Sequence, residues 1–276
     1  MHYQYATCSR LGNRQVNEDR VAVAEIGDSV LLVLADGLGG HKGGQIAAQV
    51  GVASACKQFQ RSAASIGNPH EFLIDLFLNA QKEIIEAGIV MDPPIEPKCT
   101  LVACLIRGAT ATWAHVGDSR LYIIRNRFIL EQTRDHSVVE DLFRQGKISE
   151  RQKTSHPSRN SITQCLGSRQ KAVKPTLSDS IVLEKDDGIL LCSDGFWAQL
   201  SESHVRNTFH PVNIDQSLNQ LAQKAESNFY PRSDNITAAA FRFLDAKGVN
   251  SEGFHASDLE IDDLQKTLEA VNFKIE

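Results

Sequence analysis

Three features of the sequence predict an α+β domain with sheets packed face to face and helices outside. Apolar, β-branched runs of strand length gather toward both ends of the first 245 residues, amphipathic runs of helix length lie between and after them, and two apolar runs end in Asp-Gly. The run from Val30 to Ala35 is too short for a comfortable helix and rich in branched residues, so it reads as a strand buried on both faces. It delivers Asp36 into a loop with five glycines in eight residues, Gly37, Gly39, Gly40, Gly43 and Gly44. Glycine there lets the backbone take positive φ and lets another group come close to the main chain.

Residues 3 to 8 and 19 to 26 alternate as strands do, and between them Arg14, Glu18 and Asp19 place a cation beside two carboxylates. After the glycine loop, residues 44 to 60 and 70 to 87 carry apolar side chains at three-to-four spacing and read as two amphipathic helices, parted by Gly67-Asn-Pro69. Asp92 to Pro97 is a proline-rich loop. The runs 99 to 107 and 110 to 116 form a hairpin through Arg107-Gly-Ala-Thr110, and a further strand, 120 to 125, starts just after Gly117-Asp118. Residues 136 to 146 read as a helix stopped by Gly146, and 148 to 160 as a mobile polar surface segment. The run from Gly188 ends in Ser193-Asp194-Gly195, helices are expected at 202 to 209 and 214 to 229, and Asp234-Asn235 precedes a strand at 236 to 243. Beyond Asp245 the chain turns polar and acidic. Ser257 with Glu260 makes a capping box there, and Ile261, Leu264, Leu268 and Val271 mark one face of a short helix that would dock on its own domain. The expected organisation is therefore a domain over 1 to 245 and a tail over 246 to 276.

At 276 residues the chain can bury a full core, and 42% hydrophobic with 23% charged residues is ordinary for a globular protein. A net charge of −5 lacks the basic footprint of a nucleic-acid binder. Met1 to Cys8 has no signal-peptide core, and no window holds about 18 uninterrupted apolar residues, so a cytoplasmic protein without membrane association is expected. Six cysteines without a C-x-x-C pair read as reduced and mostly buried. Cys8 and Arg14 share the C-x5-R spacing of cysteine-dependent phosphatases, but without the flanking histidine or hydroxyl residue. A structural cysteine is the better reading.

The acidic residues at strand ends are Asp19, Asp36, Asp118, Asp194 and Asp234, with Glu18 alongside. If they converge, they make an all-oxygen site suited to magnesium or manganese, whereas zinc would want histidine or thiolate. Two such cations sharing a carboxylate can lower the pKa of a water and hold a phosphoryl group in line, and Arg14 would clamp the phosphate oxygens.

Arg14-x-x-Asn-Glu-Asp19, Ala35-Asp-Gly-Leu-Gly-Gly-His41, Val116-Gly-Asp-Ser-Arg120, Thr133-Arg-Asp-His-Ser137, Cys192-Ser-Asp-Gly195 and Asp234-Asn235 form an ordered series. The series resembles that of the metal-dependent type 2C protein serine/threonine phosphatases in their compact bacterial form, over about residues 3 to 244. The resemblance implies a four-layer α-β-β-α sandwich with two antiparallel sheets inside. It implies that Asp36 bridges two Mn2+ or Mg2+ ions, that the Gly37 carbonyl, Asp194 and Asp234 complete the ligand set, and that Asp19 acts through bound water. Asp118 would hold a third ion, His41 would protonate the leaving oxygen, and residues 138 to 165 would form a flap beside the site. The implied function is hydrolysis of phosphoserine and phosphothreonine by a metal-activated water with no phosphoenzyme, by a monomer acting on the targets of a serine/threonine kinase. Lys98-Cys99-Thr100 departs from the family's small Gly-Thr-Thr type sequence, and the tail lies outside its core. The alternative is a catalytically silent relative that binds phosphoproteins or scaffolds a complex.

Overall fold

The computed structural model describes residues 1–39, 42–170, 172–209 and 213–245. The chain opens with β1 (His2–Arg10), β2 (Arg20–Ile26), β3 (Ser29–Ala35) and the short β4 (Gly37–Leu38), followed by the long helices α1 (Lys42–Ser62) and α2 (Pro69–Ile89). Next come β5 (Lys98–Cys99), β6 (Leu101–Arg107), β7 (Thr110–Val116), β8 (Arg120–Arg125) and β9 (Phe128–Gln132), then α3 (Val138–Arg144) and α4 (Glu150–Ser155). The last part holds β10 (Thr176–Leu177), β11 (Ile181–Val182), β12 (Gly188–Cys192), α5 (Asp194–Trp197), α6 (Glu202–Arg206), α7 (Ile214–Phe229) and β13 (Ile236–Asp245).

Two antiparallel sheets form the middle of the molecule. One runs β1-β13-β12-β8-β9; the other runs β10-β7-β6-β3-β2, with β11 also on β7. Alternation along β3 shows why its apolar run is continuous. Leu31, Val33 and Ala35 pack toward α1 and α2, whereas Val30, Leu32 and Leu34 pack toward the other sheet, against Ile189, Leu191, Ala239 and Phe241. On the far side Leu190, Cys192, Ala238 and Ala240 meet Leu218, Ala222 and Ala225 of α7. Three apolar layers therefore separate four layers of structure, and truncating a fully buried residue such as Leu32 to Ala should cost about 3 kcal/mol. This is the expected α-β-β-α sandwich. The hairpin after β6 turns through Gly108, whose φ of +54° suits glycine, and α2 starts with Pro69 behind an Asn68 cap that accepts the His70 N–H.

Three local expectations change. The helix expected over 136 to 146 spans only Val138–Arg144, because Ser137 caps it by accepting the Glu140 N–H. The polar stretch after it is not featureless: α4 forms there, with Ser149 and Gln152 reciprocally capping its start and Lys153 paired to Glu140 of α3 at 2.6 Å. Strand β9 was not legible, since it is a sheet edge with Phe128 65% exposed and no buried alternation. The short helix expected in the tail lies outside the described residues.

Candidate active site

The sandwich brings the predicted aspartates to one end. Asp36 follows β3, Asp194 follows β12 and begins α5, Asp234 immediately precedes Asn235 and β13, and Asp19 precedes β2. Each position is secured through the backbone. The Asp36 N–H donates to Thr100 Oγ1 (3.1 Å), and its carbonyl accepts the Thr100 N–H (2.8 Å). Thr100 is fully buried and shares a 2.7 Å hydrogen bond with Ser119, so the departure at Lys98-Cys99-Thr100 keeps the hydroxyl that the site uses. Asn235 holds the N-terminal loop in place: its Oδ1 accepts the Glu18 N–H at 2.9 Å, and its Nδ2 donates to the carbonyls of Leu11 (2.9 Å) and Val16 (3.1 Å). Two glycines make room for this. A Cβ on Gly12 (φ +61°) or on Gly195 would lie 2.0 Å from a backbone oxygen, that of Asp234 or of Asn235 respectively.

The carboxyls crowd one another. Burial and then the charges of Asp19, Asp194, Asp118 and Asp234 push the Asp36 carboxyl far up, and it hydrogen-bonds to Asp194. Asp194 is raised to about 6, by burial first and then by Asp234. Asp19, only 2% exposed, is raised to about 7 by burial, although the Ser193 and Thr237 hydroxyls hydrogen-bond to it and pull the other way. Asp118 is raised to about 8 by burial and by Asp194 and Asp135. Arg14 stands at the rim, half exposed, with Nη2 2.7 Å from Asp234 Oδ2. The Glu18 carboxyl lies against the first turn of α1 at Gly44. His41 lies outside the described residues.

Asp118 is held differently. Its carbonyl accepts the Trp197 Nε1–H at 3.0 Å, tying it to α5. The Arg120 guanidinium stacks 3.3 Å over the Trp197 ring and makes two 2.8 Å bonds to Asp135. Trp197, Thr100 and Asn235 carry no charge pattern or ligand spacing; in the sequence Asn235 stands only as part of a motif and Thr100 only in the Lys98-Cys99-Thr100 departure, and neither carries a role there.

Among the described residues, no three acidic, imidazole or thiol side chains close on one point as a ready-made cage. The donor set nevertheless fits hard divalent cations. It is all oxygen, its carboxyls repel one another until something positive lies among them, and Asp19 Oδ2 is buried without a hydrogen-bond partner. Such cations take much of their coordination from water.

An antiparallel double sandwich that brings an aspartate cluster to its strand ends, with a half-exposed arginine bound to one of them, makes an all-oxygen site of the kind that suits divalent cations and a phosphoester. The chain belongs to the protein phosphatase 2C family, which matches residues 8–228. It is 30% identical over 248 residues to the serine/threonine phosphatase stp of Listeria monocytogenes, covering 86% of this chain and 94% of that one. The S. agalactiae serine/threonine phosphatase superposes with a TM-score of 0.79 at 28% identity, covering 88% of this chain and all of that one (100%). The catalytic domain of the phosphatase PstP in complex with two manganese ions superposes at 0.74 with 29% identity, over 88% and 99% of the two chains. The protein is accordingly an enzyme, with protein serine/threonine phosphatase function.

Proposed function

We propose that the chain hydrolyses phosphoserine and phosphothreonine in proteins with water as the nucleophile and without a phosphoenzyme. The observation that carries this reading is the convergence of the aspartates: Asp36 and Asp194 hydrogen-bond to one another, and the charges of Asp19, Asp194, Asp118 and Asp234 all reach the Asp36 carboxyl. The only thiol with phosphatase-like spacing, Cys8, is buried inside β1 opposite Ala238 and packs toward α7, where it cannot reach a phosphate. Asp36, Asp194, Asp234 and the Gly37 carbonyl would hold two divalent cations, manganese or magnesium, with Asp19 acting through water and Asp118 holding a third. The cations would supply an ionised water near neutral pH and positive charge for the phosphoryl oxygens. Arg14 would leave Asp234 to grip the phosphate with its planar fork. His41 is proposed, from its place in the sequence, as the proton donor to the leaving oxygen.

The two-manganese PstP complex supports the choice of ion. Substrates would be the targets of a serine/threonine kinase, met by a monomer in the cytoplasm, a reducing compartment that suits six cysteines outside any disulfide. No helix among the described residues is long and apolar enough to cross a membrane. The test is turnover of a phosphothreonine peptide by the dialysed protein with manganese and then with excess EDTA. Full turnover in EDTA would sink the metal reading, and loss of activity in a folded Cys8→Ser variant would restore a thiol mechanism.

A further inference from the structure

The Thr133–Ser137 motif has no place in the chemistry above, yet it grips the segment that bears Asp118. The Thr133 N–H donates to the Leu121 carbonyl (3.0 Å), and its Oγ1 accepts the Leu121 N–H (2.9 Å). The carbonyl of Arg134 bonds His115 Nε2 at 2.7 Å, and Asp135 takes the Arg120 fork. His136 sits at the centre. Its N–H donates to the Gly117 carbonyl at 2.9 Å, and its Nδ1 accepts the Gly117 N–H at 3.2 Å. That acceptor role leaves the ring proton on Nε2, which faces Thr176 Oγ1 at 2.9 Å. The ring stacks on His115 with centroids 4.6 Å apart.

The other side of the same residue holds the flap. The His136 carbonyl accepts the Thr163 N–H at 2.7 Å, Ser137 bridges Ile162, and Ser137 caps α3. Both stems of the flap and the turn carrying Asp118 thus meet at one imidazole residue.

We propose that His136 is a positioning residue that holds the base of the flap and Asp118 in one fixed relation, so that a phosphoprotein seated against the flap meets an Asp118 already in place. The inference rests on reading the aspartate cluster as the phosphatase site. A small aryl phosphate makes no use of the flap, so loss of His136 should separate peptide from aryl substrates.

The experiment compares His136→Ala, His136→Gln and His136→Asn with the wild-type protein on a phosphothreonine peptide and on p-nitrophenyl phosphate, in saturating manganese, with thermal midpoints recorded. Asn can set an oxygen near the Nδ1 position and accept the Gly117 N–H, whereas Ala and Gln cannot. Peptide KM should rise about 10-fold in the Ala and Gln variants, the size of one orphaned buried donor, with KM for the aryl ester within about 2-fold and Asn restoring most of the loss. An equal rise in KM on both substrates, or an Asn variant no better than Ala, would overturn the proposal. If the Ala variant does not fold, native-state hydrogen exchange of the wild-type chain decides: one common opening free energy for the amides of Gly117, His136 and Thr163 supports the coupling, and separate ones refute it. A wild-type protein that turns over neither substrate would refute the phosphatase reading instead, leaving exchange to judge the coupling.

Discussion

On one flank of the aspartate cluster, Asp36 is fixed at its strand end through its own amide and carbonyl by Thr100, Asn235 ties down the loop that leads to Asp19, and Asp194 and Asp234 lie beside glycines that admit no Cβ. On the other flank, Asp118 and the flap are held by side chains: Trp197, Arg120, Asp135, His136 and the Lys153–Glu140 pair. Carboxylates that repel one another stay together only where the backbone gives them no alternative, so the first flank should respond to substitution in an all-or-none manner. The second is built from parts that can shift by fractions of an ångström and should respond by degrees.

The largest effect should come from Asp36→Asn. Turnover should fall on the order of 10³-fold, because several kcal/mol of transition-state charge stabilisation depends on the core cations, and calorimetry should find those cations bound weakly. Asp118→Asn should slow turnover only about 10-fold with core cations retained; equal cation loss in both variants would erase the distinction between the flanks. Next, His41→Ala should slow a phosphothreonine peptide about 100-fold while sparing p-nitrophenyl phosphate, whose phenolate leaves without a proton. Equal losses on both esters would remove His41 from the chemistry.

For stability, Asn235→Ala removes three hydrogen bonds that tie the N-terminal loop and should cost about 3 kcal/mol in urea unfolding. Phe143→Ala in the flap, a residue 37% exposed, should cost about 1 kcal/mol or less. A reversed order would mean that the flap, not the strand ends, carries the stability.

The smallest effect is a pH dependence. Asp19, Asp118 and Asp194 hold their protons to about pH 7, 8 and 6 in the folded, metal-free chain, against about 4 when unfolded. Above pH 4 the folded state therefore binds more protons than the unfolded one, and its stability falls as pH rises toward 8. The thermal midpoint in EDTA should drop between about pH 5 and 8, and saturating manganese should abolish or reverse that slope. A midpoint in EDTA that climbs with pH would contradict the crowding of the carboxyls.

The backbone-locked flank was also the more legible one. An apolar run that ends in Asp-Gly needs only periodicity to be recognised, and Val30–Ala35 and Gly188–Cys192 announced both the strands and their terminal aspartates. What the sequence hid are contacts whose chemistry has no characteristic spacing. Thr100 looked like part of a departure from the family pattern, and only its bond to the Asp36 amide shows its use. Helix α4 is polar on every side, so no apolar stripe marked it; reciprocal capping and an ion pair to α3 hold it. β9 exposes its aromatic residue at a sheet edge, which inverts the usual strand signal.

Strand β13 begins beside Asp234 and ends at Asp245, where it lies opposite His2 of β1. Ten residues of strand span about 30 Å, so the described chain is entered and left side by side, at the end of the sandwich remote from the catalytic mouth. A tether, a fused module or a solid support joined at Met1, or directly after Asp245 in place of the residues that follow, would therefore hold the enzyme by its heel, away from the aspartate cluster.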